Sequence, residues 1–247
     1  MTDEDGYFGE SVASTYDEST AAMFTQETVA PAVDMLAELA GTGRALELGI
    51  GTGRIALPLA RRGVEVHGIE LSRAMADRLR GKPGGDAIGV TMGDFATARV
   101  PGEFSVAYLV FNTIMNLTTQ DAQVDCFRNV ARHLAPGGTF VIEVMVPELR
   151  KLPPGQNTVP FHVGENRVGF DTYDIATQAM ASHHVTVAED GQGSFRSFPF
   201  RYVWPAELDL MARLAGMRLR ERWEDWGGQP FTSDSGTHVS VWEKVTG

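Results

Sequence analysis

The run Leu46-Glu47-Leu48-Gly49-Ile50-Gly51-Thr52-Gly53-Arg54 holds the residue types and spacing best suited to chemistry. Glycines at alternate positions let the backbone turn tightly and approach a ligand where a Cβ would clash. A helix opening just after them offers unpaired N–H donors. Glu70, twenty-three residues after Glu47, ends a second apolar segment. A carboxylate there can accept both ribose hydroxyls of an adenosine through its two oxygens. Gly93-Asp94-Phe95 ends a third segment, where Asp94 can accept the adenine amino group and Phe95 can supply an apolar edge for the ring. Each acid alone would suit a solvated loop. Three strand tips carrying such groups in register point to an adenosine-containing ligand.

A dinucleotide satisfies the same ribose logic, but its fingerprint is Gly-x-Gly-x-x-Gly, with a diphosphate on the helix N-terminus. Here the third glycine comes one position early, and acidic Glu47 precedes the loop. A carboxylate in that place suits a cationic amino group better than a diphosphate. That points to S-adenosylmethionine, whose methionyl end carries an ammonium and whose sulfur is a sulfonium.

These groups require elements that hold them at one edge of a sheet. Arg44–Gly49, Val64–Ile69, Ala87–Met92, Phe104–Val110 and Thr139–Val146 read as short apolar strands. Helical patterns fall between them: Ile55–Arg62, Arg73–Arg80 capped by Ser72, and Ala122–Leu134 closed by Pro136-Gly137-Gly138. This alternation predicts an α/β fold, a parallel sheet with helices on both faces. Ahead of it, Val29, Val33, Leu36 and Leu39 recur at helical spacing. Behind it, Pro147–Gly164 reads as a loop. Arg167–Ile175, Ala179–Ala188 and Phe195–Val203 then have β composition, with a hairpin turn at Glu189–Gly193. They form an antiparallel insertion, after which helix Ala206–Ala215 and strands Met217–Trp223 and His238–Lys244 return to the main pattern.

The 247 residues suit one enlarged domain, and 21 Lys+Arg against 32 Asp+Glu leave a net charge of −11. A field of that sign repels phosphate backbones, so no nucleic-acid partner is expected. The single Cys126 can form neither an internal disulfide nor a cysteine zinc site, and no metal is expected. The start Met1-Thr-Asp-Glu-Asp5 is acidic, with no apolar run after it and no membrane span further on. The expectation is a soluble, cytoplasmic protein.

Leu46–Arg54, Glu70, Gly93-Asp94-Phe95 and the Leu134-Ala-Pro-Gly-Gly138 turn together resemble the class I S-adenosylmethionine-dependent methyltransferases. The resemblance spans about residues 10–146 and resumes at about 205–245. It implies a Rossmann-like, seven-stranded, mostly parallel sheet with its last strand antiparallel, carrying the antiparallel β insertion after strand five. It also implies a cofactor set of Tyr16, Glu47, Gly49, Gly51, Gly53, Glu70, Leu71, Asp94, Phe95 and Phe111. In that set the glycine loop cradles the methionyl part, Glu70 the ribose and Asp94 the adenine amino group. Ser11–Asp17, Phe111–Asn116 and the insertion look like the small-molecule branch that includes the amino-sugar N,N-dimethyltransferases of antibiotic pathways. In that branch the tyrosine matched by Tyr16 lies over the cofactor and the reacting centre. A histidine often stands where this chain has Asn116, and asparagine can orient a substrate but cannot act as a general base.

The implied reaction is methyl transfer to an O or N atom of a small metabolite, as in natural-product tailoring. Candidate catalytic groups are Tyr16, Asn116, Glu143 and His183, with Asn112 and His184 beside them. Glu143 interrupts an apolar strand expected to be buried on both faces, so its carboxylate needs a partner. His183 and His184 are adjacent on a strand and face opposite ways. The alternatives are an enzyme that uses the sulfonium without transferring a methyl, a module that binds the cofactor without turnover, and an NAD-dependent dehydrogenase. Residues 1–42 are expected to form a helical lid, 43–146 the cofactor-binding core, and 147–204 the insertion. The insertion would serve as substrate cover or as the contact in a homodimer, and 205–247 would complete the sheet.

Overall fold

The computed structural model describes residues 6–245, so the acidic Met1–Asp5 run lies outside the described residues. The chain enters through two four-residue helices, α1 (Glu10–Ala13) and α2 (Tyr16–Ser19), and then helix α3 (Gln26–Ala40). Strands and helices follow in alternation: β1 (Arg44–Leu48), α4 (Ala56–Arg61), β2 (Glu65–Glu70), α5 (Arg73–Arg80), β3 (Gly89–Met92), β4 (Phe104–Leu109), α6 (Gln120–His133) and β5 (Leu134–Met145). Next come β6 (Thr158–Val163), β7 (Arg167–Tyr173), β8 (Ala179–Val187) and β9 (Gly193–Arg201). Helix α7 (Pro205–Leu214), β10 (Met217–Trp223) and β11 (Thr237–Lys244) complete the chain.

The main sheet has seven strands in the order β10-β11-β5-β4-β1-β2-β3. β11 is antiparallel to both of its neighbours, whereas the ladders from β5 through β3 are parallel. Side-chain alternation along β1 sends Ala45 into one core with α3 and α4, and Leu46 and Leu48 into another with α6 and α7. In the second core Phe127, Phe140 and Trp242 pack edge to face, with Phe127 centroids 5.0 and 5.5 Å from the other two. Three such fully buried rings contribute about 1.5–3 kcal/mol each by area removed from water. Ser72 caps α5 by accepting from Met75 N–H at 3.1 Å, and Thr119 caps α6 through Ala122 N–H.

The second sheet, β6-β7-β8-β9, is antiparallel throughout. Val159, Tyr173 and Met180 on one of its faces join the α6–α7 core, with Leu149, Leu152 and Phe200 against them. Its root is held by buried Arg201, which bonds Gln123 (2.6 Å), Gln178 (3.0 Å) and Glu207 (2.8 Å).

Two details differ from the sequence expectation. Thr158–Val163 is a strand inside the segment expected as a loop, giving the insertion four strands. It is an edge strand with one buried residue and a register shift after Pro160, so it lacks clean alternation. Second, Pro136-Gly137-Gly138 does not separate α6 from β5. The strand begins at Leu134, opposite Phe104, and the three residues form an irregularity within it. The aromatic residues of β9 divide between its two faces: Phe195 stacks on His183 while Phe198 meets His184.

Candidate active site

The carboxyl ends of β1, β2 and β4 and the approach of α2 converge on the glycine loop. Gly49 and Ile50 N–H both donate to Ile69 O, at 2.8 and 3.1 Å, which ties the loop to β2. Gly49, Gly51 and Gly53 all have positive φ, at 67°, 56° and 84°. Packing adds to this at two of them: a Cβ on Gly49 would lie 2.8 Å from Thr113 Cγ2, and one on Gly53 would lie 2.4 Å from Leu79 Cδ1. Neither position admits another residue without movement of its neighbours.

Glu70 is buried at the tip of β2. Its Oε2 accepts from Gly51 N–H at 2.7 Å and its Oε1 from Ser72 N–H at 2.9 Å. Its two oxygens are the kind of paired acceptor that the two hydroxyls of a diol can bond. Asp94, exposed at the tip of β3, accepts from Ala96 N–H through Oδ1. Leu71 is exposed beside Glu70, whereas Phe95 is buried beneath the loop, its ring within 4 Å of where a Gly49 Cβ would be.

Glu47 is almost fully buried on the α3–α4 side and accepts from Tyr108 Oη at 2.9 Å. Burial pushes its carboxyl up to about 8, against the opposing effects of the Tyr108 bond and the Arg54 charge. A ligand ammonium placed there would favour the ionised form. Arg54 lies with its guanidinium 5.1 Å from the Phe111 ring centroid and 3.5 Å from Met23 O. It can pair with an anionic group such as a carboxylate.

Tyr16 is half-buried on α2, edge-on to Phe8. Burial, together with the nearby Asp17 and Glu70 charges, raises its phenol above the ordinary value, opposed by Arg54. The hydroxyl is therefore a neutral donor rather than a base. Next to it, Asp17 accepts from Thr52 Oγ1 at 2.6 Å and pairs with Lys82 Nζ at 2.5 Å.

After β4 the chain turns through two non-glycine residues of positive φ, Phe111 (58°) and Asn112 (60°). Such conformations cost about 1–2 kcal/mol per residue, less for Asn. Glu143 holds this turn: its Oε2 accepts from Phe111 N–H at 2.8 Å, while Asn112 Oδ1 accepts from Met145 N–H at 2.7 Å. Glu143 is half-buried rather than buried, and the partner it finds is backbone. The turn leads to the short 3-10 helix Thr113–Asn116, with Asn116 half-buried at its end. Gln123 Nε2 donates both to Ile114 O in that segment and to Arg201 O at the root of the insertion.

The structure brings Tyr16, Glu47, the three glycines, Glu70, Leu71 and Phe111 to one end of the sheet, with Asp94, Asn116 and Glu143 beside them. It does not bring His183 there. That ring is stacked between Phe170 and Phe195, and its Nε2 meets Thr172 Oγ1 at 3.1 Å. Cross-strand register puts it on the face of the insertion opposite Tyr173 and Met180, which join the core. His184 occupies the other face, between Phe161 and Phe198. His133 and His238 are buried and structural. His133 Nε2 accepts from Val100 N–H, and burial lowers His238 to about 4. Sequence reasoning missed Asp17, Thr52, Arg54 and Lys82; the first three stand inside the motifs already singled out. Among the described residues, no group of His, Cys, Asp or Glu could hold a metal ion, and no helix is long and apolar enough to cross a membrane.

Residues 45–138 match the family described as Methyltransferase domain. The chain is 36% identical to the CcbJ methyltransferase from Streptomyces caelestis, covering 99% of this chain and 100% of that one with a TM-score of 0.87. It is 28% identical over 204 residues to a cypemycin N-terminal methyltransferase from a Streptomyces species, spanning 81% of this chain and 82% of that protein. S-adenosylmethionine-bound CalS10, an amino pentose methyltransferase of calicheamicin biosynthesis from Micromonospora echinaspora, shares the fold. Its TM-score is 0.71 at 20% identity, over 94% of this chain and 97% of that one. The order of seven strands, the glycine loop with its buried acids and the match to CcbJ along the whole chain lead to one assignment: the chain belongs to the class I S-adenosylmethionine-dependent methyltransferases.

Proposed function

We propose that this methyltransferase transfers the methyl group to an amine nitrogen of a small natural product. The observation that carries the nitrogen assignment is the set of side chains beside the cofactor loop. Tyr16 is held neutral, Asn116 cannot take a proton, Glu143 is bonded to the Phe111 backbone, and His183 faces elsewhere. A neutral amine attacks without a base and loses its proton to solvent afterwards, whereas a hydroxyl acceptor needs a base in place. The relative named for N-terminal methylation agrees with this reading.

The residues fit the cofactor. Bound S-adenosylmethionine supplies a methyl carbon already activated by the adjoining sulfonium. In our reading Glu70 receives the ribose hydroxyls, Asp94 the adenine amino group and the Gly49–Gly53 backbone the methionyl part. Glu47 receives the ammonium and Arg54 the carboxylate. Leu71, Phe95 and Phe111 form the apolar surround. Tyr16 closes the site from above and excludes water, while Asn116 orients the acceptor by hydrogen bonds. Residues 1–42 act as the lid and 147–204 as the acceptor cover.

The test is S-adenosylhomocysteine formation with matched panels of small amines and their hydroxyl counterparts. Turnover with amines alone supports the proposal. Turnover confined to the hydroxyl compounds would move the chemistry to oxygen, with Glu143 the first residue to suspect as base.

A further inference from the structure

The amino-terminal segment cannot hold its own shape, because helices of four residues are too short to be stable alone. Its position depends on tertiary contacts, and among the described residues the Asp17 carboxylate makes one that reaches the glycine loop. Asp17, adjacent to Tyr16, accepts from Thr52 Oγ1 at 2.6 Å through Oδ1 and meets Lys82 Nζ at 2.5 Å through Oδ2. Lys82 Nζ also donates to Thr52 O at 2.8 Å and lies 5.1 Å from the Phe24 ring centroid. The contacts therefore close a ring through the segment, the loop and the turn after α5. Thr52 is 2% exposed and stands between Gly51, whose N–H bonds Glu70, and Gly53. Among the described residues the segment is tied elsewhere as well: Ser72 Oγ donates to Phe8 O at 2.7 Å, exposed Glu10 pairs with Arg78, and Arg54, next to Gly53, reaches Met23 O at 3.5 Å.

We propose that Asp17 is a positioning residue that latches the amino-terminal segment across the cofactor loop, acting through Tyr16 on one side and Thr52 on the other. A purely architectural contact would anchor the segment to the sheet. This one ends on a loop built to meet a ligand. The Asp17 side chain is 40% exposed and that of Lys82 25%, so the pair is weak and responds to salt. That suits a contact which opens whenever cofactor and product exchange. The inference rests on placing the cofactor at Gly49–Gly53, as proposed above.

The experiment measures S-adenosylhomocysteine dissociation by surface plasmon resonance for wild type, Asp17→Asn, Lys82→Met and the double variant, with a thermal melt of each without ligand. The expected result is dissociation faster by about fourfold in each single variant, with the double variant no faster than either, as for residues acting in one network. Raising the salt should speed wild-type release and leave Asp17→Asn unchanged. Rates within twofold of wild type in folded Asp17→Asn and Lys82→Met would overturn the latch, as would effects that simply multiply in the double variant. Absence of binding to wild type would remove the cofactor placement and the latch together.

Discussion

The groups that face the proposed cofactor are held mainly by backbone, and those beneath the insertion by other side chains. Around the glycine loop, Gly49, Ile50, Gly51 and Ser72 N–H groups meet Ile69 O or the Glu70 carboxylate, and the local geometry follows from positive φ at three glycines. At the root of the insertion the carboxylate of Glu207 and the amides of Gln120, Gln123 and Gln178 form a network around the buried guanidinium of Arg201. Backbone cradles tolerate change in the surrounding side chains, so they suit a ligand common to a whole family. Side-chain networks rearrange with each substitution, which suits an acceptor that differs between members.

Arg201→Met tests the insertion side most severely. It removes the three bonds of a nearly inaccessible guanidinium and leaves Glu207 without its counter-charge, held only by the Gln120 and Gln178 amides, so unfolding free energy should fall by about 3–5 kcal/mol. Denaturant titration measures this, and a loss below 1 kcal/mol would show that the network is dispensable. On the cofactor side, Glu70→Ala should weaken S-adenosylmethionine binding by about 1.5–3 kcal/mol, the worth of charge-assisted bonds. Calorimetry showing unchanged affinity in the folded variant would remove Glu70 from the site.

Glu47 gives the comparison a pH signature. Its folded carboxyl sits near 8, above the ordinary carboxylate value expected of the unfolded chain. Between those values the native state keeps a proton that the unfolded state has lost, so stability without ligand falls as pH rises toward 8. One proton sets a slope of at most about 1.4 kcal/mol per pH unit. Glu47→Gln should flatten this part of the profile, and a wild-type slope that survives the substitution would assign it elsewhere. The smallest effect is expected of His183→Ala. Losing its stacking on Phe170 and Phe195 should cost about 0.5–1.5 kcal/mol of stability, with cofactor affinity and turnover retained. A large fall in turnover would restore His183 to the catalytic set.

Much of the fold was legible because the strands between Arg44 and Val146 are short apolar runs punctuated by glycine and separated by helical periodicity. Strand β6 was not, because an edge strand with Pro160 and one buried residue has no alternation to read. Among site residues, the glycines, Glu70 and Asp94 announce themselves by spacing. Glu143 signals only that it needs a partner. The left-handed turn at Phe111-Asn112 that it serves has no glycine to mark it.

Local chemistry therefore determined the cofactor loop, the acids at the strand tips and the alternation of β and α, since each depends on residues close in the chain or on the period of one element. Tertiary structure decided the rest. The pairing of Asp17 with Thr52 and Lys82 joins residues 35 and 65 positions apart, and that of Arg201 with Gln123 spans 78. Which face His183 presents depends on the register of β8 between β7 and β9, where a shift of one residue would turn every side chain over. Contacts of that range have no periodic signature, because they are set by how packed elements meet rather than by the preferences of either partner.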